Sequence, residues 1–321
     1  MRVTDADAGR FERARHFVAR AAVIGCALVL AVIVASAYLR LSQAGPGWSG
    51  LTGLARIVHR LAASAEALLV VMMMAVCWGV RRLWAGGALT AALIAALTVF
   101  LALLGIVTAE AQSPAVTLGN LLGGMALLGT FWSLRLQARS AVPPDRSTTV
   151  FWIWSGVVLL AFQIALGGLV SAHGGAKSCG TIPGCDGEWW PAGAAFALLD
   201  LIRAPDSFAG SALLADPARR ALHMAHRFGA AILLLYWAAL TVGLRSRDRA
   251  AAKGAAAVAA MLLAQVALGA TVVASGAAVA AAVIHNAWAA LTVVAAVSAA
   301  SYSGLYRGVG VSAARQTVTS K

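Results

Sequence analysis

Eight apolar stretches, each long enough to cross a bilayer as a helix, constrain what this chain of 321 residues can fold into. They occupy residues 17–40, 57–80, 86–108, 115–136, 149–171, 219–244, 252–275 and 278–304. About 20 apolar residues suffice, because each residue of an α-helix advances the chain by about 1.5 Å. The composition agrees, since 61% of the residues are hydrophobic and only 12% are charged. The sequence predicts an all-α polytopic membrane protein with eight transmembrane helices embedded in the lipid bilayer.

The basic residues define the orientation of these helices. The formal net charge of +13 does not indicate a nucleic-acid partner, because the cations lie between apolar runs and do not form a basic stripe with interleaved aromatics. They concentrate in the tail 1–16, in alternate connections and in the tail 305–321. The positive-inside rule then places both tails in the cytoplasm. We expect a bacterial-type inner (plasma) membrane.

The chain divides into two related halves. The polar run RSAVPPDRSTT supplies a cytoplasmic linker, 141–148, between an amino-terminal half, 17–140, and a carboxyl-terminal half, 149–304. ARIVHRLAAS in the first half resembles LHMAHRFGAA in the second, and VTLGNLLGGM resembles VIHNAWAALT in the same order. Because each half has an even number of spans, both halves begin on the same side of the membrane, and the repeats are parallel. The predicted architecture is two pseudo-symmetric four-helix bundles.

Histidines at matching depths in the repeats are the candidate site. The second, fourth, sixth and eighth helices all run inward from the outer face, so His59, Asn120, His226 and His285 lie one to two turns below it. Ionisable residues inside a membrane are costly and indicate function. Two facing histidines in a helical bundle hold a haem iron axially, which favours His226 and His285 as ligands. The alternative is that these histidines only form hydrogen bonds between helices.

Other polar residues near these histidines receive provisional roles. Arg60 and Arg227 each follow a histidine and suit haem propionates, because a guanidinium pairs with a carboxylate through two hydrogen bonds. His223 lies on the same helix face as His226, either as a group that supports the ligand from outside the iron's coordination shell or as a competing ligand. Glu66 is expected to be a neutral acid that is hydrogen-bonded to a neighbouring helix.

The long outer loop, 172–217, carries a cysteine pair. Cys179 and Cys185 lie in SCGTIPGCDGEWWP, on the outer side in the predicted topology. An oxidising periplasm favours a disulfide between them over a metal site. Trp189 and Trp190 suit a lid at the membrane interface.

The motifs together resemble the haem A synthase family from about Tyr38 to Ala299. They are YLRLSQAG, IVHRLAAS, PAVTLGNLLGG, QIALGGLVSAHGG, SCGTIPGCDGEWWP, HMAHR and VIHNAWAAL. The resemblance implies a haem b cofactor on His226 and His285 and substrate haem O in the amino-terminal half. There a methyl group would be oxidised through an alcohol to the formyl group of haem A, with His59 as the catalytic candidate. It also implies a role in cytochrome oxidase assembly, with haem O synthase and an electron donor as partners.

The departures from the family pattern fall on the amino-terminal half. Arg56 stands where the family has a glutamate, three residues before His59. The fourth helix lacks the family histidine. Asn120 stands at its place if the glycines are aligned, and Gly119 does if the His-Asn pair of the second half is aligned. The short QAGPGWSG replaces a cysteine pair that many members have in the first outer loop. The amino-terminal site is therefore altered.

Two other functions stay open. A non-catalytic haem-binding or haem-carrier relative would keep the carboxyl-terminal half and lose the altered active site, unless Glu66 or Glu110 replaces the missing glutamate. A membrane transporter is the second alternative. Transport sites usually lie near the bilayer midplane, whereas the polar residues of this chain lie near one surface. The sequence is compatible with oligomers.

Overall fold

Eight long helices account for most of the structure, a computed structural model that describes residues 5–42, 49–107, 113–139, 148–190 and 216–318. They are α1 (Asp5–Leu41), α2 (Gly50–Gly79), α3 (Ala85–Val107), α4 (Pro114–Arg139), α5 (Thr148–Ala172), α6 (Asp216–Leu244), α7 (Arg249–Ala274) and α8 (Val279–Val318). Each contains a stretch that is long and apolar enough to cross a membrane. The prediction of an all-α polytopic membrane protein with eight spans is confirmed.

The helices extend beyond the apolar stretches that revealed them. α1 begins at Asp5 and includes most of the segment 1–16, and α8 continues to Val318 past the predicted span. Hydropathy changes where the chain leaves the hydrocarbon, whereas the backbone hydrogen bonds continue through good helix formers such as Ala, Arg and Glu. The helix ends therefore do not mark the membrane surfaces.

Each half of the chain forms a ring of four helices. In the first half α1 contacts α2, α2 contacts α3, α3 contacts α4, and α4 returns to α1. The second half repeats this order with α5, α6, α7 and α8. The halves meet where α4 contacts α8, α1 contacts α8 and α4 contacts α5. Since α1 corresponds to α5 and α4 to α8, this interface fits the predicted pseudo-symmetry.

The boundary between the halves is closely packed around α4 and α8. A Cβ atom at Gly129 of α4 would lie 3.3 Å from Val293 Cγ1 of α8, so this glycine permits close approach. Nearby, Trp132 Nε1 donates a hydrogen bond of 2.6 Å to Ser298 Oγ. Close packing joins the two bundles, and the hydrogen bond satisfies the indole N–H away from water.

The outer surface of the bundles is apolar. Leu89 and Ile106, both on α3, are 73% and 74% exposed, and Leu68 on α2 is 69% exposed. Such a surface would be unfavourable in water, and it is the expected one where lipid chains surround the helices.

Candidate functional site

A cavity of about 480 Å³ opens within the carboxyl-terminal bundle. It lies among α5, α6, α7 and α8, and most of its wall is apolar. This volume is within the range of about 300–1,000 Å³ that is typical of small-molecule and cofactor sites. His226 of α6 and His285 of α8 both line it, so the fold brings together the two histidines that the sequence singled out.

Gln163 of α5 holds His226. Its Nε2 atom donates a hydrogen bond of 2.8 Å to the His226 carbonyl oxygen and lies 3.0 Å from Nδ1 of the same residue. Gly167, one turn further along α5, leaves room for the imidazole, because a Cβ atom there would lie 2.8 Å from His226 Cε1. One helix thus supplies both the polar partner and the space for this ring.

Gln265 of α7 makes the corresponding contacts with His285, but it meets the other ring nitrogen. Its Nε2 atom donates a hydrogen bond of 3.0 Å to the His285 carbonyl oxygen and lies 3.2 Å from the ring Nε2. A Cβ atom at Gly269 would lie 3.2 Å from His285 Cε1. The two histidines therefore have equivalent supports on the adjacent helices.

Neither glutamine was predicted from the sequence as a partner of a histidine. The available signal is a repeated pentapeptide, QIALG from Gln163 to Gly167 and QVALG from Gln265 to Gly269. Each glutamine precedes its glycine by one helical turn, so both face the same neighbouring helix.

Each of these pairs leaves polar atoms without partners. His285 Nδ1 is buried and unpartnered, and so is the Oε1 atom of each glutamine. His226 Nε2 likewise has no hydrogen-bond partner among the described residues. An unsatisfied buried polar group costs about 1–3 kcal/mol, so the arrangement is incomplete by itself.

Arg227 lines the cavity, and its guanidinium bonds to the outer loop. Its Nη1 atom donates to the carbonyl oxygens of Thr181 at 2.7 Å, Pro183 at 3.2 Å and Gly184. Its Nη2 atom donates to the Cys179 carbonyl oxygen at 3.1 Å. These contacts make the guanidinium a clamp on the loop, and the predicted contact of Arg227 with a haem propionate stays a prediction.

The loop that Arg227 clamps contains the disulfide between Cys179 and Cys185. Arg220, two turns before Arg227 on α6, forms an ion pair of 3.5 Å with Asp186 beside the disulfide. Trp189 of this loop lines the cavity. Trp190 is not among the lining residues, so only one of the two tryptophans contributes to the cavity wall. The rest of the predicted loop, 191–215, lies outside the described residues.

A cation from the other half also reaches the cavity. Arg40, at the end of α1, is one of the lining residues, and its Nη1 atom donates a hydrogen bond to Ser171 Oγ of α5. Arg40 was not among the predicted site residues, although YLRLSQAG places a single arginine at the end of an apolar span. It adds a positive charge near the loop.

Two further histidines lie close to the site. His223 is buried in the cavity wall, one turn before His226. His173, just after α5, is fully buried, and neither of its ring nitrogens has a partner among the described residues. Burial lowers the pKa of the His173 imidazole below its usual range, because the charged form loses its hydration.

The candidate residues of the amino-terminal half lie elsewhere. His59 is half-buried on α2, Arg60 is exposed, and Asn120 is exposed on α4. None of the three lines the cavity that contains His226. The structure therefore does not bring these residues to the histidine pair of the second half.

Glu66 has the neighbour that the sequence analysis expected. It is buried on α2, and its Oε1 atom accepts a hydrogen bond of 2.9 Å from Thr98 Oγ1 on α3. Glu110, the other candidate acid, lies outside the described residues.

Comparison with known proteins identifies the family. The model of the COX15-CtaA family, described as cytochrome oxidase assembly protein, matches residues 53–297. A haem A synthase of Shewanella oneidensis is 28% identical over 320 residues, an alignment that covers 84% of this chain and 91% of that relative. The matched segment extends from α2 into α8 and includes both histidines and both glutamines of the cavity. This multi-pass membrane chain belongs to the COX15-CtaA family of cytochrome oxidase assembly proteins.

Proposed function

We propose that this chain is a haem-dependent oxidoreductase of the haem A synthase type, with a haem b in the cavity of the carboxyl-terminal bundle. The observation that carries the proposal is the pair His226 and His285, which line one apolar cavity from two helices. The family and the haem A synthase relative support the assignment.

The chemistry of the cavity fits an iron porphyrin. The described residues contain no group of three or more His, Cys, Asp or Glu side chains that could hold a metal ion. Two imidazoles suffice for an iron whose other four ligands belong to a porphyrin. Gly167 and Gly269 leave room for the two imidazoles, and His226 Nε2 has no partner among the described residues that would compete with a ligand. Bound iron would supply the one-electron chemistry.

The propionates of such a haem would meet the cations at the loop end of the cavity. Arg40 lines this end, and Arg227 keeps its Nε hydrogen and one Nη2 hydrogen beyond its bonds to the loop. A partly buried guanidinium stabilises a carboxylate through charge-assisted hydrogen bonds. This end would face the periplasm, with both termini in the cytoplasm of a bacterial-type inner membrane.

The proposed substrate is haem O, bound in the amino-terminal half near His59 and Arg60, with Asn120 on the facing helix. His59 would be the catalytic residue, and the reaction would convert the haem O methyl group through an alcohol to a formyl group. Haem O synthase would supply the substrate, and a separate donor would supply electrons.

The test starts from the pigment of the purified full-length protein. We expect a low-spin haem b spectrum that disappears in His226→Ala and in His285→Ala. Expression in a strain that lacks its own haem A synthase should restore haem A in the extracted pigments, and His59→Ala should abolish it. A colourless wild-type protein would overturn the haem site and would favour the transporter alternative.

A non-catalytic haem-binding or haem-carrier function is the second candidate. Arg56 in place of the family glutamate and the exposed position of Asn120 favour it. This candidate predicts haem b in the purified protein and no haem A in the complemented strain.

A further inference from the structure

We propose that a groove between α1 and α2 binds an anionic phospholipid at the surface of the membrane, with Arg13 and Arg20 on the lipid phosphate. The groove is in the amino-terminal half and shares no lining residue with the cavity of His226 and His285. The inference therefore goes beyond the proposed function and does not depend on it.

The α1–α2 groove combines polar and apolar side chains. Its volume is about 530 Å³. Arg13, His16 and Arg20 line it from α1, and their spacing of three and four residues places them on one face of the helix. The apolar lining includes Phe17 and Ile24 of α1 and Leu69 and Met72 of α2.

The charges of α1 indicate how deep the groove lies in the membrane. The segment 21–39, between Arg20 and Arg40, contains no charged residue. As a helix it spans about 28 Å, which is close to the hydrocarbon thickness of about 30 Å. Arg20 therefore lies at the edge of the hydrocarbon, and Arg13 lies about 10 Å further out. The lipid headgroups occupy the layer between these two levels.

Arg13 and Arg20 are available to a ligand. Both are exposed, and neither has an ion pair or a hydrogen bond on the described part of the chain. Arg15 of the same helix differs, because it pairs with Glu12 at 3.2 Å and donates to the Ala138 carbonyl oxygen at 2.9 Å. The carboxylate next to Arg13 in the sequence is therefore bonded to another arginine.

An anionic phospholipid matches both kinds of lining. Its phosphate would accept hydrogen bonds from the two guanidinium groups and from an N–H of His16. Its acyl chains would lie along Ile24 and Met72, which are about half exposed. Basic pockets between transmembrane helices are known to bind acidic headgroups in this way.

The lining also selects among lipids. No Asp or Glu is among the described residues that line the groove, so a zwitterionic lipid would find no partner there for its ammonium group. A soluble phosphate would use only the polar side chains and would leave the apolar lining uncovered. The chemistry of the groove therefore favours an anionic lipid over both.

The experiment measures lipid binding to the full-length protein in a neutral detergent after its lipids have been removed. Phosphatidylglycerol and phosphatidylcholine with identical acyl chains are added in turn, and native mass spectrometry counts the bound molecules. We expect one phosphatidylglycerol to bind at concentrations at which phosphatidylcholine does not. Arg13→Gln and Arg20→Gln should each weaken this binding about fivefold, and the double variant about 30-fold.

Two further variants control for charge and for folding. Arg245→Gln removes an exposed cation between α6 and α7, on the same side of the membrane but in the other half, and it should bind phosphatidylglycerol like the wild type. The double variant Arg13→Lys and Arg20→Lys keeps both charges and should retain most of the affinity. Equal melting temperatures of the lipid-free variants would exclude a loss of fold as the cause.

Three results would overturn the lipid site. They are equal binding of the two lipids, undiminished affinity in the double glutamine variant, and the same loss in Arg245→Gln as in Arg13→Gln. Glycerol 3-phosphate serves as the soluble competitor. If it displaces phosphatidylglycerol at a similar concentration, the groove binds phosphate alone, and the assignment to a lipid is wrong.

Discussion

Gly167 gives the most direct steric test of the proposed haem cavity. A Cβ atom at this position would lie 2.8 Å from His226 Cε1, and ordinary contacts begin at 3.4 Å, so the ring would have to retreat by about 0.6 Å in Gly167→Ala. The retreat would strain the contact of 3.0 Å between Gln163 Nε2 and His226 Nδ1. At Gly269 the corresponding distance to His285 Cε1 is 3.2 Å, which requires only about 0.2 Å.

The expected effect follows from the cost of overpacking. Excess volume in a closely packed site costs about 1–3 kcal/mol, which corresponds to about 5- to 150-fold in affinity. Gly167→Ala should fall in this range for haem b, and Gly269→Ala should fall near or below its lower end. The order of the two effects is the stronger prediction, because it depends only on the difference between the two distances.

The assay is a titration of haem-free protein in detergent with haem b, followed by the absorbance of the low-spin complex. Gly243→Ala is the matched control, since Gly243 is on α6 like His226 and a Cβ atom there would have no neighbour within 4 Å. Wild-type affinity in Gly167→Ala, or an equal loss in Gly243→Ala, would refute the placement of the ligand beside His226.

Three other predictions concern the loop and the buried polar groups. Arg227→Lys should increase hydrogen exchange in residues 179–184 several-fold, because an ammonium cannot reach four carbonyl oxygens at once; unchanged exchange would contradict the clamp. Because burial lowers the pKa of His173, the unfolded chain binds more protons than the folded protein at acidic pH. The melting temperature should therefore fall as the pH drops below about 6.5, and His173→Gln should make this dependence on pH less steep. Thr98→Val should lower the free energy of unfolding by about 1–3 kcal/mol, because Glu66 loses its hydrogen bond while buried; a change below about 0.5 kcal/mol in chemical denaturation would argue against that bond.

Much of the fold could be read from one-dimensional patterns. Hydropathy found all eight spans, because the bilayer imposes a minimum apolar length on every crossing segment. It did not find the helix ends at Asp5 and Val318, because the backbone hydrogen bonds do not depend on the surrounding solvent. The repeat predicted two bundles, and the contacts between helices fit it.

The candidate site could be predicted only in part. His226 and His285 stand out because ionisable residues in apolar helices are rare, and the predicted topology places them at similar depth. Their partners Gln163 and Gln265 are 63 and 20 residues away in the sequence, and no local pattern specifies which helix a glutamine faces. The pentapeptide repeat becomes meaningful only when α5 is known to contact α6 and α7 to contact α8.

The sequence alone determined the membrane class, the number of spans and the residues costly enough to mark a site. Those properties depend on the free energy of transferring each residue into lipid, which is local to the residue. The tertiary structure decided what each side chain contacts. His226 lines the cavity, Arg227 bonds to the loop, and Arg40 of the first half lines the cavity of the second half. Such choices depend on which helices pack together, and packing is a property of pairs of segments that no single segment encodes.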